Sequence, residues 1–251
     1  MTHERDGSLQ ERSTMIDETD LSQEKAWLHE ERAKTVIKKL QKGNINGQYV
    51  PNRQEALTTI MKMIPPWVVV ARGDSVSLDQ VGVIPELIKR NQNRIIYPLD
   101  RDAAGILITP ELEERRRIAR EVFSADIYLV GTNAITFDGK LVNIDGWGNR
   151  VSALIFGPEK VIVVVGVNKI VKDVNEALER IHHFTAPMNA KRHYLKHSRE
   201  EFGDLPCVRT GSCVDCSHGS RICRYTVIIE GAMVREKGRI NVVLVGEELG
   251  I

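Results

Sequence analysis

Apolar and polar positions alternate in blocks along this chain. Over residues 24–42, Trp27, Leu28, Val36, Ile37 and Leu40 mark one face of an amphipathic helix that ends before Gly43. Residues 54–64 predict a second helix. Pro65 and Pro66 stop it, because proline lacks the amide that a helix interior needs. The unbroken apolar run 67–71 reads as a strand buried on both faces, as in a parallel sheet. A helix over 77–90, a strand over 94–97, a helix over 110–123 and a strand over 126–130 follow. Then come a helix over 148–156, the most apolar strand of all over 161–165, and a helix over 171–182. Strands alternating with helices predict an α/β fold, a Rossmann-like, mainly parallel sheet with helices on both faces. Residues 1–23 are polar and read as a disordered, solvated tail, and 24–251 as a single domain.

One stretch departs from this rhythm. Asp138-Gly139 lies between two β-type runs and predicts an inserted β-hairpin with a two-residue type I′ turn. That loop sets Phe137 opposite Lys140, Thr136 opposite Leu141, Ala134 opposite Asn143 and Thr132 opposite Asp145. Thr132, Ala134, Asn143 and Asp145 then share one face at the open end of the hairpin.

Ligands of open parallel sheets sit beyond the carboxyl ends of the strands. Three such ends carry polar and glycine residues: Gly73, Asp74 and Ser75; Thr132 and Asn133; and Asn168 and Lys169. The hairpin adds Asn143 and Asp145, and the turn that follows adds Asn149 and Arg150 at a helix start. Together they predict a small-molecule pocket that prefers an anion, with Arg150 able to take both oxygens of a carboxylate. The plainer reading is that the Gly and Asn residues serve turns and that Asp145 caps a loop. Lys140 is a further candidate cation, although a solvated lysine is the default. His182 and His183, at a helix end, read as solvent or dipole partners. Neither a Walker loop nor a Gly-x-Gly-x-x-Gly fingerprint is present, and no Ser-His-Asp set follows from local spacing.

Composition narrows the class. With 35 Lys+Arg against 34 Asp+Glu, the net charge of +1 argues against a nucleic-acid protein. No apolar run approaches the roughly 18 residues that span a bilayer, so no membrane anchor is expected. The first 23 residues lack the apolar core of a secretory signal, so the expected compartment is the cytoplasm, where thiols stay reduced. All four cysteines, Cys207, Cys213, Cys216 and Cys223, fall within residues 205–224 at the spacing C-x5-C-x2-C-x6-C. Four thiols so gathered can close on one zinc ion or one iron–sulfur cluster, and the spacing does not separate the two. Arg209, Arg221 and Arg224 stand where they can offset the charge of such a centre. Two disulfides or four idle thiols are the alternatives, and a redox-active Cys213–Cys216 pair is another.

Three segments resemble the lactate-utilisation (LUD) domain family, 131–136, 138–146 and 148–151, and the stretches 73–82 and 161–171 also resemble it. The resemblance runs from about residue 24 onward, and the cysteine segment resembles that of stand-alone members from anaerobes. It implies the sugar-phosphate isomerase and coenzyme-A transferase type of fold, and an association with lactate oxidation alongside iron–sulfur subunits. The chain departs from the family pattern at Phe137, where glutamate is expected, and at Trp147, where a small residue is expected. Fold alone carries no reaction over. The leading expectation is a cytoplasmic accessory or electron-transfer component of L-lactate oxidation with an anion pocket. A stand-alone enzyme on a small carboxylate, phosphosugar or acyl-thioester with structural zinc is the second. A non-catalytic sensor or assembly subunit is the third.

Overall fold

The computed structural model describes residues 17–197 and 199–251; the polar tail expected over 1–23 lies outside the described residues as far as residue 16. The first helix, α1 (Ser22–Lys42), buries Ala33, Val36 and Leu40 but leaves Trp27 and Leu28 exposed. After the short strand β1 (Asn46–Val50), α2 (Arg53–Met63) starts at the N-cap Asn52. Asn52 Oδ1 accepts from Glu55 N at 2.9 Å, and Asn52 Nδ2 donates back to Glu55 Oε1 at 3.1 Å. Strand β2 (Val69–Arg72) precedes α3 (Val76–Val81) and α4 (Val83–Arg90). The single helix expected over 77–90 is therefore two, broken at Gly82.

The chain continues through β3 (Arg94–Ile96), α5 (Leu112–Glu121) and β4 (Ile127–Gly131) to the hairpin strands β5 (Ala134–Thr136) and β6 (Leu141–Asp145). Next come α6 (Asn149–Ile155), β7 (Lys160–Gly166), β8 (Ile170–Val171), α7 (Val174–Arg180), a π turn over Ile181–Thr185, α8 (Ala186–Lys196) and α9 (Pro206–Thr210). Strands β9 (Tyr225–Ile229) and β10 (Ile240–Val245) complete the order.

Six strands form one parallel sheet in the order β1-β10-β7-β4-β2-β3. Its side chains alternate between two apolar layers. Tyr128, Val130, Val161 and Val163 face one layer; Ile127, Leu129, Ile162 and Val164 face the other. The α/β expectation therefore holds. The apolar pattern predicts no helix or strand beyond His182, yet β10 lies inside the sheet, between β1 and β7. Every residue of β10 is buried, which is the environment its run Ile-Asn-Val-Val-Leu-Val suits. Among the described residues no helix is long and apolar enough to cross a membrane.

The hairpin belongs to a second sheet of order β8-β5-β6-β9. Its register differs by one residue from the expected one: Ala134 pairs with Val142 and Ile135 with Leu141. The loop is three residues long, Phe137-Asp138-Gly139. Gly139 N donates to Thr136 O at 2.9 Å and Thr136 N to Lys140 O at 3.0 Å. Gly139 has φ +89°, but Asp138 does not enter the positive-φ region that a type I′ turn demands of both central residues. The reason is local: Asp138 Oδ1 accepts from the Thr136 hydroxyl, which in turn accepts from Lys140 N at 2.9 Å. That network favours a tight turn followed by one left-handed glycine. Thr132 is consequently not the partner of Asp145. Its hydroxyl lies 3.1 Å from Ala134 O and 3.2 Å from Val142 O.

Candidate functional site

A cavity of about 760 Å³ opens at the carboxyl ends of β2, β4 and β7. Gly73, Asp74 and Ser75 enter it from the end of β2, Thr132 and Asn133 from the end of β4, and Lys169 from the end of β7. Asp145, Asn149 and Arg150 complete nine of the ten residues singled out from the sequence. The tenth, Asn143, is fully buried beneath the floor, where its Oδ1 accepts from Arg150 Nη1 at 2.7 Å. Its Nδ2 is buried with no partner among the described residues. The loops converge because Gly131 has no side chain: a Cβ there would come within 2.6 Å of Ser75 Oγ.

Arg150 is the hub of the floor. Nη1 donates to Asn143 Oδ1 and, at 3.4 Å, to Gly131 O. Nη2 donates to Asn133 Oδ1 at 3.2 Å and Ile144 O at 3.0 Å, and Nε lies 3.2 Å from Asp145 Oδ2. The two Nη atoms thus make four hydrogen bonds to the chain itself and Nε pairs with Asp145, so the guanidinium holds the floor together rather than offering a bare fork to a carboxylate. Asp145 Oδ1 accepts from Trp147 N at 3.0 Å and Gly148 N at 2.8 Å. The amides before α6, expected as an anion site, are therefore occupied by this carboxylate.

Lys169 is different. It is only 4% exposed, and Nζ donates to Ser77 Oγ at 3.2 Å and Thr132 O at 3.3 Å, both neutral acceptors. Burial, reinforced by the charges of Arg180 and Arg150, pushes its ammonium down to about 7.

The opposite wall comes from residues that sequence reasoning did not single out. Arg192 pairs with Asp74, and His193 Nε2 lies 3.8 Å from the same carboxylate. Burial pushes Asp74 up, but Arg192, His193 and Arg72 outweigh it and hold its carboxyl below the usual range. Burial likewise keeps His193 below its ordinary value, against the pull of Asp74. The four-residue spacing of His193 on α8 and His197 just after it was the available signal. Arg101 and Arg115 also line the cavity. Their hydrogen bonds go to backbone carbonyls: Gly105 O at 2.6 Å for Arg101, and Thr109 O at 3.3 Å and Pro110 O at 2.6 Å for Arg115. Among the described residues no carboxylate pairs with either of them or with Lys169.

Other candidates lie elsewhere. Lys140 pairs with Glu230 at 2.8 Å, and His183 Nε2 lies 3.2 Å from Glu179. Phe137 packs on the core beneath Arg32, outside the cavity. Trp147 lines the cavity but stays 41% exposed, so it borders the space instead of filling it.

The four cysteines are reduced and half-buried, and all four line a second, small cavity of about 20 Å³. Cys207 comes from α9, Cys213 and Cys216 from the loop that follows, and Cys223 from the approach to β9. Arg221 ties the loop together: Nη1 donates to Cys216 O, Nε to Cys223 O at 2.9 Å, and Nη2 lies 2.7 Å from Asp215 Oδ1. Cys213 Sγ accepts from Asp215 N at 3.4 Å and lies 3.7 Å from His182 Nδ1. Burial pushes the Cys223 thiol up to about 11, and burial also raises Cys207. Among the described residues no three His, Cys, Asp or Glu side chains stand close enough together to hold a metal ion as they are. Arg221, Ile222 and Cys223 line both cavities.

No curated protein matches the chain. Among solved structures, a DUF162 family protein from Deinococcus radiodurans is similar at 15% identity, covering 86% of this chain and 97% of that one, with a TM-score of 0.47. The LUD domain family matches residues 33–245, nearly the whole of both sheets and both cavities, and the chain belongs to that family.

Proposed function

We propose that this chain binds a small anionic molecule in the large cavity and serves as a cytoplasmic accessory or electron-transfer component of L-lactate oxidation, alongside iron–sulfur subunits. One observation carries the reading: the strip Arg221–Cys223 is the common wall of an anion-suited cavity and a four-thiol pocket. Arg101 and Arg115, which pair with no carboxylate among the described residues, favour an anion in the first. Cys207, Cys213, Cys216 and Cys223 would hold a metal or iron–sulfur centre in the second. An iron–sulfur centre there would supply one-electron redox chemistry beside the bound anion. The chain's own part is to orient the anion over the Arg150 floor and to place Arg221 as a counter-charge to the thiolates.

A second reading, a stand-alone enzyme on a small carboxylate, phosphosugar or acyl-thioester with structural zinc, draws support from the small size of the thiol pocket. About 20 Å³ suits an occupant the size of one ion or water. Anaerobic purification followed by elemental analysis and visible spectroscopy separates the two. Stoichiometric iron with a broad visible absorption supports the first reading. Stoichiometric zinc without colour supports the second, since the d¹⁰ ion has no redox chemistry. In either case the Cys213→Ser, Cys216→Ser double variant should lose the metal. Full-length protein free of both metals and equally stable overturns the centre, and calorimetry with lactate and pyruvate tests the anion site.

A further inference from the structure

Lys169 is a lysine placed where lysines rarely sit. It lines the large cavity at the end of β7, is 4% exposed, and has no acidic partner among the described residues. The groups facing it are Ser77 of α3, the carbonyl of Thr132 after β4, Arg150 of α6 and Arg180 of α7. Asp145, the acidic side chain of the floor, is already held by Arg150 and two backbone amides. The chain also closes over the amine: a Cβ on Gly250 would lie 2.7 Å from Nζ.

Counting donors decides what form this geometry suits. A neutral amine has two N–H groups and one lone pair, whereas an ammonium has three N–H groups. Two acceptors stand within reach, Ser77 Oγ at 3.2 Å and Thr132 O at 3.3 Å. A neutral amine satisfies both and keeps its lone pair. An ammonium turns a third donor into the cavity, where no acceptor among the described residues meets it, and adds a charge beside two arginines.

We propose that Lys169 is a catalytic nucleophile that takes the carbonyl carbon of a small 2-oxo acid into an imine within this cavity. The proposal deepens the anion-cavity reading and rests on it, but it is independent of the four cysteines. The nitrogen lone pair forms a bond to the carbonyl carbon, and the carbonyl π pair moves to oxygen, which takes a proton. The nitrogen gives up one proton. The hydroxyl then leaves as water with a second proton, and the C=N bond forms. The net change is amine plus carbonyl plus one solvent proton, giving a protonated imine and water, with no change of oxidation state. The carbonyl must carry an acid group because Arg101 and Arg115, unpaired cations of the same cavity, favour an anion. A 2-oxo acid is what remains when a 2-hydroxy acid loses two electrons, so the class is consistent with the family. Burial pushes Lys169 down to about 7, which leaves a large neutral fraction near neutral pH, as a nucleophilic lysine needs.

The test uses the full chain, pyruvate and cyanoborohydride, which reduces the imine to a stable amine. Intact mass should show one adduct per chain, and peptide mapping should place it on Lys169. Lys169→Met and Lys169→Arg should lose it, and Lys140→Arg should keep it. The trapping rate should level off above pH about 7 instead of climbing toward the range of an ordinary lysine. Because mapping is done on the unaltered chain, the outcome survives a variant that fails to fold. Adducts spread over exposed lysines overturn the assignment. Calorimetric binding of pyruvate with no trapped adduct overturns the imine and leaves the anion cavity standing. Neither binding nor trapping overturns both.

Discussion

Lys169 and Arg150 lie on the same floor and have opposite relations to their surroundings. Among the described residues the lysine has only neutral acceptors, and burial disfavours its ammonium. Its ammonium is pushed down from 10.5 to about 7, so between those values the unfolded chain holds a proton that the native chain lacks. Stability therefore rises with pH across that window, by about 1.4 kcal/mol per pH unit at most, and the cost is fully present below pH about 7. Lys169→Met should raise the urea midpoint at pH 6 and show a shrinking advantage as pH approaches 10.5; an advantage that stays constant across the window would contradict the burial argument. Arg150 is the reverse case, a charge paired with Asp145 and hydrogen-bonded through both Nη atoms. Arg150→Ala should cost about 2–4 kcal/mol, because it leaves Asp145 with a buried, unbalanced carboxylate and Asn143 with an unmatched oxygen. The same measurement on Arg150→Lys should recover little, since an ammonium cannot reach four acceptors in a plane. Turn chemistry at strand ends was enough to bring these residues together from the sequence. It could not say that Arg150 faces inward, because that depends on Asn143, a residue that the register of the hairpin alone carries below the floor.

At the scale of elements, the hairpin shows how a correct signal can yield a wrong count. Asp138-Gly139 marked the turn, and Gly139 does take a left-handed conformation at φ +89°. The loop nevertheless holds three residues, because Thr136 and Asp138 hydrogen-bond to each other. That one-residue difference moves every cross-strand pair, which is why Thr132 and Asp145 reach the same cavity without facing each other. Gly139→Val should destabilise by about 1–3 kcal/mol, since a β-branched residue resists positive φ. A Cβ at this position would also meet Leu40 N and Lys39 Cβ of α1 at 3.0 Å. Gly139→Asn should lose less, as asparagine tolerates the left-handed region; thermal unfolding of both variants gives the comparison. The paired helices α3 and α4 carry the same lesson. Apolar periodicity runs through both, and only the backbone at Gly82, φ +80°, separates them.

For the molecule as a whole, the order of the large sheet ties the two ends of the chain together. Strand β1 near the start and β10 near the finish pair with each other, and β10 also pairs with β7. Local pattern cannot reveal such a contact, since neither strand carries any mark of its neighbour. The cysteine segment is the counterpart: its spacing is plain in the sequence, while its position against the wall of the large cavity follows only from where α8 and β6 deliver it. The two regions should differ sharply in stability. β10 is buried along its length between two strands, whereas the loop after α9 leaves Val214 and Asp215 exposed. Backbone amides of Val242, Val243 and Leu244 should therefore exchange with solvent only through global unfolding, and those of residues 211–220 through local opening. Leu244→Ala removes a fully buried side chain from the layer that also holds Val163, Val165 and Leu40. It should cost about 2–5 kcal/mol of global stability. Exchange in β1, β7 and β10 should accelerate together by the corresponding factor, while exchange over 211–220 stays unchanged. If β10 alone accelerated, with β1 and β7 untouched, the sheet would not be the single cooperative unit that joins the early and late parts of the chain.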